Sequence, residues 1–343
     1  MFIVHSYTLA VFLCFVIMLC WGSWGNTQKL AAKSWRYELF YWDYVIGMVL
    51  FALIIAFTFG SIGAEGRPFL ADLKQAAGSS ILWILLGGVI FNLSNILLSA
   101  STSIAGMSVA FPLGVGLALV LGVINNYRVA ALQQEQGAKT GDVTLLVIGV
   151  LLVVCAIVLN GIAASRKGES GISKADQKKG IVLALCAGVI MSFFSSFVMR
   201  AMDITNFVSP AAGKVTPYTA IVIFTLGVLA SNFIFNTIVM RKPFVGEPVS
   251  YSQYFKGDCK THLVGMLGGA IWCLGTALSY ITAEKAGPAV SYALGQGAPM
   301  VAALWGVFIW KEFKGAKKGT GALLVAMFVL FVAGLASIVV AGL

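Results

Sequence analysis

Charge is what this sequence has least of. Only 10% of its 343 residues are Asp, Glu, Lys or Arg, against about a quarter in an ordinary soluble domain. Hydrophobic residues make up 59% and mean hydropathy is +0.93, which excludes one large water-soluble core. Histidine is scarcer still: only His5 and His262, both at predicted helix ends. Six cysteines stand at 14, 20, 155, 186, 259 and 273, five of them in apolar runs and none in a CxxC pair. They read as small hydrophobes, not as a disulfide frame or a metal site. HExxH, GxSxG and GxxxxGK[ST] are all missing, so the sequence predicts no metal, no cofactor and no enzyme activity.

Apolar runs long enough to cross a bilayer fill most of the chain: 7–28, 40–59, 80–100, 104–125, 143–163, 181–201, 217–240, 263–282, 286–310 and 321–342. About 17 to 25 residues suffice for one crossing, so the expected fold is an all-α polytopic membrane protein with ten transmembrane helices. The first run is too long for a signal peptide and has no basic flank before it, so it reads as a retained helix. The net charge of +10 does not imply nucleic acid, because the Lys and Arg residues sit between the runs. Sixteen of the 23 fall in odd-numbered loops and seven in even ones, counting Arg200 with the sixth loop. By the positive-inside rule the odd side is cytoplasmic and both termini face outward in a cytoplasmic (inner or plasma) membrane. The partners expected are the lipid bilayer and a small-molecule substrate; monomer and homodimer both stay open.

The strongest signal is an internal repeat. A shift of 181 residues lays 86–120 on 267–301 with 13 of 35 positions identical, matching Gly87 and Gly88 to Gly268 and Gly269, and Gly106 to Gly287. The same shift matches Gly114 and Gly116 to Gly295 and Gly297, and the fifth run to the tenth. The chain therefore divides into a first five-helix half, 1–164, a polar linker, 165–179 ("SRKGESGISKADQKK"), and a second half, 180–343. Because five is odd, the halves enter the bilayer in opposite senses. Such inverted repeats are typical of secondary carriers, with the substrate near the midplane between halves. A channel would more often show a repeated charged ring or filter.

Five plus five helices, glycine-rich fourth and ninth runs, and "WKEFKGAKKGTGALLVAMFVLFVAG" resemble the drug/metabolite transporter superfamily. Within it, "YWDYVIGMVLFALIIAFTFGSIG", "GGVIFNLSNILLSASTSIAGMSVAFPLGVGLALVLG" and "TPYTA" are most similar to the ureide permease group, with glucose/ribose and rhamnose porters next. The resemblance implies a helix bundle that carries small, polar, uncharged molecules by alternating access. These would be a ureide, nucleobase or nucleoside in the first instance, and a sugar, by symport or uncoupled, in the second.

The polar residues inside the runs are the site candidates. Asn92, Asn95 and Ser99 share one helical face. Their groups would be left unpaired in lipid at several kcal/mol, so they face protein or a wet cavity. The shift of 181 carries them to Cys273, Thr276 and Tyr280, again on one face. Substrate contact and hydrogen-bonded glue between helices both suit them. Trp21 and Trp24, flanked by Gly22 and Gly25, could stack on a flat ring or anchor at the interface. Trp272, Tyr292 and Gln296 are weaker candidates of the same kind. Asp43 is the one carboxylate well placed within a run. It is the candidate for coupling to a proton, with interfacial anchoring as its rival and sodium as the rival ion. Pro112 with Gly114 and Gly116, and Pro299 with Gly295 and Gly297, mark the fourth and ninth helices as the kinked, gating pair, or as plain kinks.

Overall fold

The computed structural model describes the backbone of all residues other than 33–34, 135–141, 167–172, 296, 312 and 342–343. It describes side chains at all of these except 108, 126–134, 164, 174 and 289. Helices follow one another along the chain: α1 (Tyr7–Ser23), α2 (Gly25–Ala31), α3 (Tyr37–Phe57), α4 (Phe69–Gln75), α5 (Gly78–Ala105), α6 (Met107–Gln134) and α7 (Val143–Ser165). After these come α8 (Lys174–Ala201), α9 (Pro217–Arg241), α10 (Tyr251–Phe255), α11 (Cys259–Ala286), α12 (Pro288–Gly295), α13 (Ala298–Leu304), a π turn (Trp305–Ile309) and α14 (Thr320–Ala341). Among the described residues nine helical spans are long and apolar enough to cross a membrane, and α6 adds the shorter apolar stretch Val109–Asn125. The protein is a polytopic, all-helical membrane protein. The sequence anticipates ten spans, and the fourth of them, 104–125, falls largely on α6.

Local chemistry sets the helix starts. Ser6 accepts a hydrogen bond from the Leu9 N–H, Ser173 from Asp176 and Asp258 from Thr261, each supplying one of the acceptors that a helix N-terminus lacks. Two starts are borrowed from the preceding long helix: α5 ends at Gly106 (φ +84°) and α11 at Gly287 (φ +78°), each reversing direction into the next helix. These glycines lie 181 residues apart.

The helix crossings repeat in the same way. Where α5 meets α9, a methyl on Gly88 would land on the Phe224 carbonyl and one on Gly227 on that of Leu85. Where α11 meets α3, a methyl on Gly269 would strike the Tyr44 carbonyl and one on Gly47 that of Met266. Packing pairs match too: α5 lies against α8 and α9, and α11 against α1 and α3. Helices α7 and α14 pack on each other at the periphery and leave Val147, Leu151, Val325, Val329 and Val332 bare, the face expected toward lipid chains.

The predicted kink positions behave differently from one another. Pro112 falls in the second turn of α6, which runs on through it. Pro299 lies in the first turn of α13, where its missing N–H is no loss. The ninth span is broken just before it, at Gly297, a turn residue with φ −66° and ψ −3°.

Candidate functional site

At the centre of the bundle is a cavity of about 30 Å³, walled by Trp21, Trp24, Phe91, Asn95, Leu98, Phe111, Val115, Met191, Phe194, Trp272 and Ala298. These residues come from both ends of the sequence, brought together by α1, α5, α6, α8, α11 and α13. Phe91 and Trp272, equivalent positions of the repeat, meet ring to ring at 4.1 Å. Trp21 stacks on Trp272 at 6.4 Å with planes 18° apart, and Trp24 tilts over Phe111 at 5.9 Å. Trp24 sits where α1 passes into α2, and Ala298 where the ninth span resumes. The backbone at Trp24 stays helical (φ −56°, ψ −36°), so the first span runs on past the cavity, whereas the ninth is broken beside it at Gly297.

Of the stripe on α5, only Asn95 lines the cavity. Its Nδ2 donates to the Tyr41 Oη at 3.2 Å. Tyr41 lies stacked on Tyr44, whose own hydroxyl is buried with no partner. Asn92 turns toward α9 and donates to Ser231 Oγ at 2.9 Å, leaving its Oδ1 buried and unpaired. Ser99 donates to Gln28 Oε1 at 2.9 Å, and Gln28 Nε2 returns a bond to the Ser99 carbonyl at 3.1 Å. On α11, Thr276 accepts from Trp21 Nε1 at 3.2 Å, while the Tyr280 hydroxyl is buried and unpaired. Tyr292 stands edge-on to Trp21 at 6.4 Å and donates to the Ala118 carbonyl at 3.3 Å. A methyl on Gly295 would meet the Trp21 ring at 2.7 Å, on Gly297 the Met18 sulfur at 2.7 Å. Gly114 has Leu98 at 2.9 Å and Gly116 has Ile157 at 2.7 Å, so all four glycines are close-packing positions. Gln296 lies outside the described residues.

Asp43, in the second turn of α3, is fully buried and satisfied three times over. Tyr254 Oη donates to Oδ1 at 2.7 Å, Trp35 Nε1 to Oδ2 at 3.2 Å, and His262 Nδ1 pairs with Oδ1 at 2.7 Å. The sequence singles out Asp43 but passes over its partners. They lie in the loop before α3, in α10 and in the first turn of α11, up to 219 residues away, and no local pattern joins them. Burial pushes the Tyr254 phenol upward, and its bond to the Asp43 carboxylate pushes the same way, so it stays a proton donor.

A second, wider space of about 710 Å³ opens beyond the cavity on the odd-loop side, among Gln28, Lys29, Trp35, Arg36, Thr102, Met107 and Asp176. The even side is stitched shut. Asp72, fully buried, accepts from the Thr216 N–H (2.8 Å), Thr216 Oγ1 (3.0 Å) and Arg67 (3.0 Å). Gln75 bonds across to the Lys214 carbonyl and the Gly213 N–H. Glu284 takes the Phe207 N–H at 2.8 Å. No group of three or more possible metal ligands occurs among the described residues.

The chain is similar to known membrane transporters. The family model described as ureide permease matches residues 40–175 and 166–341. Ureide permease 1 of Arabidopsis thaliana is 23% identical over 98% of this chain and 97% of its own length. An L-rhamnose-proton symporter of Klebsiella pneumoniae is 28% identical over 71% of this chain and 70% of its own. A crystal structure 14% identical in sequence superposes with a TM-score of 0.57 over 96% of each chain, so the fold is one already seen in a solved protein.

Proposed function

Since the chain belongs to the ureide permease family, a family of transporters and not of enzymes, we propose that it is a secondary transporter working by alternating access between two inverted five-helix halves, 1–164 and 180–343. Its cargo is a small, polar, uncharged metabolite: a ureide, nucleobase or nucleoside. The observation that carries the reading is the central cavity, where Asn95 brings one carboxamide to a pocket otherwise built of aromatic rings. Rings offer a planar solute its faces, and a carboxamide offers both a donor and an acceptor to replace lost hydration without demanding a counter-ion. At about 30 Å³ the cavity has room for little more than a water, so cargo enters only as the helices part.

The repeated glycine crossings and the paired caps at Gly106 and Gly287 support an inverted repeat, and the break of the ninth span at Gly297 beside the cavity suits a substrate site, where interrupted helices gather. Even-side stitching and an odd-side vestibule that stops one turn short of the cavity suit an occluded form poised to open toward the cytoplasm, with the termini outside. Asp43 serves as the coupling site: a buried carboxylate paired with His262 can take up a proton and exchange partners as the bundle rocks. A second reading, a sugar symporter, is favoured by the similarity to the rhamnose-proton symporter, since aromatic rings also stack on sugar faces. Melting-temperature shifts of purified protein with allantoin (a cyclic ureide), uracil, uridine, L-rhamnose and D-glucose separate the two. Stabilisation by the first three and not the sugars is expected; sugars alone would establish the second reading, and no shift with any would remove both.

A further inference from the structure

Cavity and vestibule are separated by a wall one helical turn thick. Trp24 and Leu98 face the cavity, while Gly25, Thr102 and Met107 face the vestibule. Gln28 stands one turn past Trp24 on α2, and Ser99 one turn past Asn95 on α5, so their reciprocal pair of hydrogen bonds lies in that wall. Gln28 is buried yet reaches the vestibule lining. The Gln28–Ser99 pair ties α2 to α5 at this level, and beside it a methyl on Gly25 would meet the Met107 sulfur, the flexible end of a long side chain, and then the Phe111 ring.

We propose that the Gln28–Ser99 pair is the latch of the inner gate and that Gln28 is a substrate-handling residue. The assignment rests on the transport reading above. When α2 and α5 part, Ser99 gives up both bonds and Gln28 presents a free acceptor and donor side by side at the opening. A solute leaving the Asn95 pocket then meets a second carboxamide, so its hydrogen bonds pass from one amide to the next without full rehydration. The opened Gln28 also borders the vestibule, where water can satisfy it, so opening strands no buried polar group. On the even side the corresponding closure is held by Asp72 and Arg67, an ion pair with several further bonds. The inner closure is neutral and small, and therefore the easier of the two to open.

The test reads the opening of the wall and needs no substrate. Cys155, Cys186 and Cys259, the exposed native thiols, are replaced by Ala, and Val115→Cys is introduced in the cavity wall. Its reaction with a charged methanethiosulfonate reagent is then followed in proteoliposomes permeabilised on both faces. Gln28→Leu keeps the side chain's volume and removes both bonds; Ser99→Ala removes one from the opposite helix. Each is expected to speed labelling at Val115→Cys at least tenfold, while labelling at Ser103→Cys, exposed in the vestibule, stays as in the parent. Unchanged labelling at Val115→Cys in both variants, with the Ser103→Cys control unmoved and melting temperatures near the parent's, overturns the latch. That result leaves the transport reading standing, whereas a ligand screen in which nothing stabilises the protein removes transport and leaves the gating measurement intact.

Discussion

At the scale of single residues, the account turns on which polar groups touch cargo and which only hold helices. Asn95 borders the cavity and Asn92 bonds to Ser231 across to α9. Replacing Asn95 by Ala should therefore weaken binding of the stabilising ligand about three- to tenfold, as expected for one lost hydrogen bond to a neutral partner of roughly 0.5 to 1.5 kcal/mol. Asn92→Ala should lower the melting temperature with affinity within about twofold; titration calorimetry beside melting curves distinguishes them, and equal losses of affinity would remove the division of labour. Asp43→Asn keeps the shape and ends the titration. It should abolish uphill accumulation driven by a pH gradient and leave exchange at equal concentrations intact; accumulation like the parent's would make Asp43 an anchor only. Asn95 and Asp43 were legible because a polar group amid apolar residues is conspicuous. Gln28, Tyr254 and His262 were not, because each looks ordinary beside its own neighbours and acquires its meaning from a partner 71 to 219 residues away.

At the scale of helices, glycine placement decides how closely they cross. A methyl on Gly88 or Gly269 would strike backbone carbonyls that cannot swing aside. Gly88→Ala and Gly269→Ala should each destabilise by about 1 to 3 kcal/mol, the usual range for overpacking. Gly161→Ala, with nothing within 4 Å of the added carbon, should be neutral or slightly stabilising. Melting in detergent checks all three, and an unharmed Gly269→Ala would contradict the crossing geometry. The turn after α8 is held by Asp203. Burial pulls its carboxyl up, but hydrogen bonds from Thr205 and from the backbone N–H of Ala211, Thr205 and Asn206 outweigh that, so it lies below the ordinary carboxylate range. A depressed carboxyl adds stability above its unfolded-state value near 4, and this is lost as pH falls through the folded value. Acidification from about pH 5 to pH 3 should thus lower the melting temperature of the parent more than that of Asp203→Asn. Most helices were legible to within a few residues, since bilayer thickness sets their apolar length. But α6 runs on to Gln134 and α8 starts at Lys174, because polar turns beyond the apolar run leave no hydropathy signal. Less legible were α4 and α10, short helices set between the spans, and the place of the ninth-span break, which Pro299 marks only from two residues beyond.

At the scale of the whole molecule, the 13 identities of the sequence repeat have counterparts in matched crossings, matched caps and the contact of Phe91 with Trp272, their rings tilted by 32°. What the repeat could not disclose is its asymmetry. One side closes around the Asp72–Arg67 ion pair, while the other carries the neutral Gln28–Ser99 pair with the buried Asp43 and its partner His262 beside it on α3 and α11, so the two ends of the path differ in charge chemistry. A carrier needs that difference if a proton is to be taken up at one face and released at the other. The central claim is that cargo crosses by alternating access, and counterflow tests it most directly. Proteoliposomes loaded with unlabelled allantoin, or whichever compound stabilises the protein in the screen, are diluted into a trace of the labelled compound. The account predicts transient accumulation of label above its outside concentration, saturating with outside concentration. Entry that rises linearly with concentration and gains nothing from the unlabelled load would contradict it, and would make the protein a channel.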